Sequence, residues 1–261
     1  MRWIRYETNG KAVYGILEGN DVTEVHGDPF AGYERTAIHH PLSSVKLLVP
    51  VEPRTFYAAG LNYPEHVTEA AKKLGREPEL PPYADIGYRA NNALIAHGEN
   101  IVIPKDAGEL VQYEAELVAV IGKRAKYLPE NDALSVVLGW TIGNDMSERT
   151  WQRGDRTLWR AKNSDTFKPM GPWIETNFDL DKAETIVKVN GEVTDRFGTN
   201  NMIHGVAKFL SRMSQYLTLY PGDVVWMGTD GWPRNLKHGD TVDIEITGIG
   251  TLSNPVVREG R

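Results

Sequence analysis

The sequence predicts a mainly β protein with some α, an α+β class in which helices are few and the core is a mixed sheet. Three observations carry that prediction. Glycine (25) and proline (15) break the 261 residues into many short apolar runs. Pairs such as Asn9-Gly10 and Asn190-Gly191, which suit tight hairpin turns, fall between alternating segments. The continuous apolar run Leu117 to Ile121, closed by Gly122, reads as a buried strand.

Ile4 to Val25 alternates polar and apolar residues around Asn9-Gly10 and Gly19-Asn20, so a small N-terminal β unit is expected. It gives way near Leu47-Leu48-Val49-Pro50, dividing the chain into residues 1–50 and a larger domain, 51–261. A helix is expected from Tyr63 to Leu74, with Asn62 as its cap, Pro64 in its first turn and Gly75 at its end. Glu77 to Asn92, rich in proline and polar groups, reads as a loop. Val136 to Ile142 is a second buried strand, Ile186 to Val193 a hairpin, and Val206 to Met213 has helical spacing. Turns at Pro221-Gly222-Asp223 and His238-Gly239-Asp240 each feed a strand, Val224 to Trp226 and the alternating Val242, Ile244, Ile246.

Composition narrows the function only coarsely. Apolar residues make up 41 %, enough for a sizeable core, and no run approaches bilayer length. The opening Met1-Arg2-Trp3-Ile4-Arg5-Tyr6 lacks a secretory pattern, and the absence of cysteine excludes disulfides and thiolate metal sites, so a cytoplasmic location is expected. A net charge of −6 with no basic, aromatic-interleaved run argues against nucleic acid as a partner. An enzyme or a binding domain remains.

Tyr113-Glu114-Ala115-Glu116-Leu117 is the most informative stretch. Residues two apart on a strand share a face, so Glu114 and Glu116 sit side by side where the strand enters the core. Two ionised carboxylates there repel and resist desolvation, and a cation removes both problems. The alternative is an exposed strand end with two solvated glutamates. Asp145, just past an apolar strand, is either a third ligand or an ordinary cap. Three carboxylates without cysteine suit a hard ion such as Mg²⁺, Mn²⁺ or Ca²⁺, and the seven histidines offer no convergent pair for zinc. His66 and Glu69, three apart on the expected helix, can pair as base and orienting carboxylate, or form a routine polar pair on a solvated face. Lys162 can neutralise a substrate carboxylate or a developing enolate, or be plain surface charge.

In their order along the chain, Gly60-Leu61-Asn62-Tyr63-Pro64-Glu65-His66, Tyr113 to Leu117 and Gly143-Asn144-Asp145-Met146-Ser147-Glu148-Arg149 resemble the fumarylacetoacetate hydrolase superfamily. So do Lys162 to Trp173, Tyr220-Pro221-Gly222-Asp223, Gly228-Thr229 and Gly248 to Asn254, and the likeness runs from about Phe56 to Val257. The resemblance implies a mixed β-sandwich roll, usually dimeric, with Mg²⁺ or Mn²⁺ held by Glu114, Glu116 and Asp145 in an open cleft. It implies Lys162 beside a small 2-oxo acid, Arg149 and Gln152 helping to orient its carboxylate or to position the site, Gly228-Thr229 contacting the acid, and His66–Glu69 as the dyad of members that hydrolyse acylpyruvates. Three features depart from the family pattern: Arg89 where many relatives carry lysine, Asp230 in place of a proline after Thr229, and the charged Arg153 to Thr157. Arg89 bears on how the substrate's far end is held. On this footing the expected reaction is C–C bond hydrolysis of an acylpyruvate-type acid through an enolate whose charge the cation offsets. Decarboxylation of an oxaloacetate-like acid stands close behind, and isomerisation of an unsaturated oxo-dicarboxylate third. The alternative from another class is a non-catalytic metal- or carboxylate-binding module.

Overall fold

A computed structural model describes residues 1–73 and 75–260. Four antiparallel strands open the chain: β1 (Arg2–Thr8), β2 (Lys11–Glu18), β3 (Asp21–Asp28) and β4 (Gly32–Pro41). Asn9 and Gly10 both take positive φ, 50° and 71°, as a two-residue hairpin turn that follows the strand twist requires. The strand β4 lies within the expected unit of residues 1–50 but beyond the alternating segment Ile4–Val25. It is an edge strand exposed along most of its length, so no apolar alternation marks it in the sequence. The two-residue β5 (Lys46–Leu47) turns back to pair with β1.

The buried β6 (Phe56–Ala59) leads into α1 (Pro64–Lys73). Leu74, the expected last residue of this helix, lies outside the described residues. Gly75 follows at φ 65°, with its N–H on the Lys72 carbonyl at 3.1 Å. The expected loop Glu77–Asn92 is not wholly irregular, because β7 (Ile86–Tyr88) pairs with β6. Three short strands follow: β8 (Leu94–Ile95), β9 (Ile101–Ile103) and β10 (Val111–Gln112). The central hairpin is β11 (Ala115–Ile121) and β12 (Val137–Asn144). Beyond it come β13 (Ser147–Glu148), the short helices α2 (Arg149–Gln152) and α3 (Trp159–Asn163), and β14 (Lys168–Glu175). The hairpin β15 (Glu184–Val189) and β16 (Glu192–Gly198) turns at Asn190-Gly191, where φ is again positive at both residues. Then α4 (Val206–Tyr216), β17 (Val224–Trp226), β18 (Thr241–Ile246) and β19 (Gly250–Arg258) complete the order.

One sheet runs β4-β3-β2-β1-β14-β12-β11-β17-β6-β7, so the N-terminal strands join the larger domain through β1 and β14, with Trp3 opposite Ile174. A second sheet runs β16-β15-β18-β19-β9. Along β11, Ala115, Leu117, Ala119 and Ile121 pack into one cluster with Val187, Val242, Ile244 and Ile246 of the second sheet and with Phe209 and Leu210 of α4. Val118 and Val120 face the other way, against Phe56, Ala58 and Trp226. Burial on both faces explains why β11 reads as an unbroken apolar run rather than an alternating one. Among the described residues no helix is long and apolar enough to cross a membrane.

Candidate active site

The site lies where β11 and β12 end. Their pairing sets Glu116 opposite Gly143 and Ala115 opposite Asn144. The ladder continues one step further, with Asp145 N–H donating to the Glu114 carbonyl at 2.9 Å. Glu114 and Glu116 therefore project on the face of Val118 and Val120, and Asp145 arrives beside them from the partner strand. All three are buried, and one oxygen of each lies within 4.8 Å of the others. Gly143 is needed for room, since a Cβ there would stand 2.5 Å from the buried Trp226 ring.

Four cationic side chains surround this carboxylate floor. Lys162, from α3, donates to Glu114 Oε2 at 2.6 Å and to Asp145 Oδ2 at 2.7 Å. Arg149 Nη1 lies 2.7 Å from Glu114 Oε1 and 2.9 Å from Gln152 Oε1, while its Nε donates to Gln112. Gln152 thus props Arg149 rather than touching the triad. Arg89 grips Asp145 through Nε and Nη2, and Lys168 Nζ lies 2.7 Å from Asp145 Oδ1. Sequence reasoning missed Lys168. The available signal was a lysine opening a strand whose neighbours, Pro169, Met170 and Ile174, are apolar. Burial pushes its ammonium down to about 7, against the pull of Asp145.

These partners divide the triad. Burial alone would raise Glu114, but Lys162 and Arg149 outweigh it and hold the carboxyl below its ordinary range. Asp145 is likewise held well down, by Arg89, Lys162 and Lys168 working against burial. Glu116 goes the other way: burial, then Asp145 and Glu114, push it well above the usual value. Among the described residues Glu116 has no cationic side chain in ion-pair range. Its Oε2 accepts only from Gly228 N–H, at 2.8 Å. A buried carboxylate short of positive charge, converging with two more in an all-oxygen donor set, fits a hard divalent cation.

The wall over the floor is α1. Asn62, expected to cap it, instead bonds the carbonyls of His204 and Met227 and the N–H of His204. Asp230 supplies the acceptor: its Oδ1 takes the His66 N–H at 3.0 Å. The family-atypical residue at 230 therefore ties the Gly228-Thr229 loop to the helix, and Thr229 Oγ1 donates within that loop, to the Asp230 carbonyl at 3.2 Å. Among the described residues no hydrogen bond joins His66 to Glu69, and Glu69 Oε2 is buried without a partner. The pair shares α1 without forming the expected dyad. Burial keeps the imidazole of His66 below its ordinary value; Arg149 and Lys162 add to this, while Glu114 and Asp230 pull the other way. His66 thus senses the floor electrostatically, and burial favours its neutral form.

Residues 55–257 match the family described as Fumarylacetoacetate (FAA) hydrolase C-terminal, and residues 1–50 match Rv2993c-like, N-terminal. Protein Rv2993c of Mycobacterium tuberculosis is 39 % identical over 91 % of this chain and 88 % of its own. The mitochondrial oxaloacetate tautomerase FAHD2A of Bos taurus is 36 % identical over 83 % of this chain and 71 % of its own. The crystal structure of 2-hydroxyhepta-2,4-diene-1,7-dioate isomerase from Mycobacterium marinum superimposes with a TM-score of 0.89, at 35 % identity and full coverage of both chains. A buried triad at the end of a central hairpin, a fold shared over its whole length and a family match across most of the chain agree: this protein belongs to the fumarylacetoacetate hydrolase family and is an enzyme of that kind.

Proposed function

We propose that this chain moves a proton at the carbon next to the keto group of a small 2-oxo acid, a keto–enol tautomerisation or the related isomerisation of an unsaturated oxo-dicarboxylate. The observation that carries this reading is the state of His66. Its backbone is tied to Asp230, burial favours its neutral form, and among the described residues it makes no hydrogen bond to Glu69. A neutral imidazole takes a proton from carbon and returns it without a dedicated water-activating partner. Relatives named oxaloacetate tautomerase and dioate isomerase support the same chemistry.

Arg149 is the most exposed of the four cations, with 18 % of its side chain accessible, which suits it to take one end of an anionic substrate. Lys162, held by Glu114 and Asp145, places positive charge where an enolate oxygen gains its charge. Glu114, Glu116 and Asp145 would hold Mg²⁺ or Mn²⁺, and a bound cation supplies Lewis-acid stabilisation of negative charge on the substrate. The floor's burial keeps bulk water from reprotonating the substrate at random.

A second reading, C–C hydrolysis of an acylpyruvate, rests on the same imidazole turning to water, with Glu69 one helical turn away. The two separate in one assay panel: enol-to-keto conversion of oxaloacetate by ultraviolet absorbance, and pyruvate release from oxaloacetate and from acylpyruvates, each with Mn²⁺ and with chelator. Chelator-sensitive enol-to-keto conversion without pyruvate release is the expected result. Pyruvate from an acylpyruvate would move the assignment to hydrolase, and pyruvate from oxaloacetate to decarboxylase.

A further inference from the structure

Lys168 is fully buried and opens β14. Its Nζ has three acceptors: the Phe167 carbonyl at 2.8 Å, the Met146 carbonyl at 3.0 Å and Asp145 Oδ1 at 2.7 Å. An ammonium has three protons, so every donor is used. Lys162 also lies against Asp145, but it comes from the short α3 and has only the two carboxylates as acceptors. Lys168 is fixed by the backbone of the strand that carries it and by the two carbonyls beside it.

The consequence falls on Asp145. Oδ1 accepts from Lys168 and, at 3.1 Å, from Arg89 Nε; Oδ2 accepts from Lys162 at 2.7 Å and Arg89 Nη2 at 2.9 Å. Both oxygens are committed twice, which is about the full capacity of a carboxylate. A divalent cation entering the triad must displace one of these bonds, and Lys168 is the partner with nowhere to go. With Lys168 protonated, four cationic side chains face three carboxylates, so the pocket already holds enough positive charge to oppose a metal.

On the reading of the triad as a cation site, we infer that Lys168 is a built-in counter-ion that weakens the triad's hold on a divalent metal, so that metal is held firmly only when an anionic substrate arrives with it. Lys168 touches no reacting atom; it acts as a positioning residue through Asp145. The substrate's carboxylate offsets the surplus charge, and by linkage each ligand tightens the other.

The test is Mn²⁺ binding, followed by the electron paramagnetic resonance of free ion, for the full chain and for Lys168→Met, with and without oxalate as a small anionic chelating probe. Removing the positive charge of protonated Lys168 beside the site is expected to tighten Mn²⁺ by about tenfold or more in the absence of oxalate. Oxalate is expected to tighten Mn²⁺ strongly in the unsubstituted chain and less in the variant. Lys168→Gln, which keeps an amide donor for the two carbonyls without the charge, carries the same expectation should the methionine variant fail to fold. Equal or weaker Mn²⁺ binding in the variants overturns the inference while leaving the cation site standing. No Mn²⁺ binding by the unsubstituted chain or either variant overturns both. Binding by the variants alone supports the inference in its strongest form.

Discussion

The floor of the site and the wall above it are held by different means. Glu114, Glu116, Asp145 and Lys168 sit at the ends of β11, β12 and β14, neighbouring strands whose ladders and apolar faces are buried. The wall, α1, depends on single contacts: Asp230 on the His66 N–H, Tyr63 Oη on the Thr199 carbonyl at 2.6 Å, and Asn62 beneath. Strand ladders fix the charged groups, whereas the helix is set by a few side chains, of which Asp230 departs from the family pattern, and by the buried Val67 and Ala71.

The sharpest break between them is Glu116→Gln. The amide still accepts from Gly228 N–H but removes the carboxylate that lacks a cation. Metal-dependent turnover is expected to fall by about a hundredfold or more, comparable to removing a group that stabilises developing charge. Folding of the metal-free protein is expected to hold or improve. With its folded value raised, Glu116 favours folding below the ordinary carboxyl range, and that contribution is lost as pH rises toward the higher value. At neutral pH its charge is a burden the amide removes, and a lower urea midpoint for the variant would contradict this account.

Next in size is Gly143→Ala, which attacks the floor through packing alone. Its Cβ would meet a Trp226 ring that has no room to retreat, and overpacking of this kind costs about 1–3 kcal/mol. Chemical denaturation measures it, and an unchanged midpoint would mean that the ring is free to shift. The smallest expected effect is on the wall. Asp230→Ala removes the acceptor at the start of α1, for a loss of about 1 kcal/mol, as for other helix caps. It also removes a negative charge near His66, whose value then falls further below 6.5. Neutral His66 contributes its full stability above 6.5, and that contribution is lost as pH falls toward the depressed value. In the variant the window widens downward, and the acid limb of the activity profile moves to lower pH with it.

Much of the floor was legible in the sequence because strand geometry is periodic. Glu114 and Glu116 two apart, followed by an apolar run, place two carboxylates on one face, and the run before Asp145 predicts the partner strand. Lys168 was not legible by that route. Its burial is offset by the Met146 carbonyl and by Asp145, both more than twenty residues away, which no local pattern records. In the wall, spacing put His66 and Glu69 on one helix, but a hydrogen bond between them depends on side-chain directions that helical spacing alone does not set. The exposed strand β4 escaped notice because it has no buried face to mark it.

The order of strands in the main sheet sets a timetable for the molecule's assembly. Strand β1 finds its partner β14 about 170 residues later, and Phe56 of β6 pairs with Val224 of β17. Contacts closed over such distances come late in folding. As the chain emerges from the ribosome, the carboxylates of residues 114–145 appear well before Gly228 and Asp230, which complete the pocket. Until then the nascent chain carries the floor's carboxylates without a finished wall, and β1 must wait for β14, and β6 for β17, before the main sheet closes.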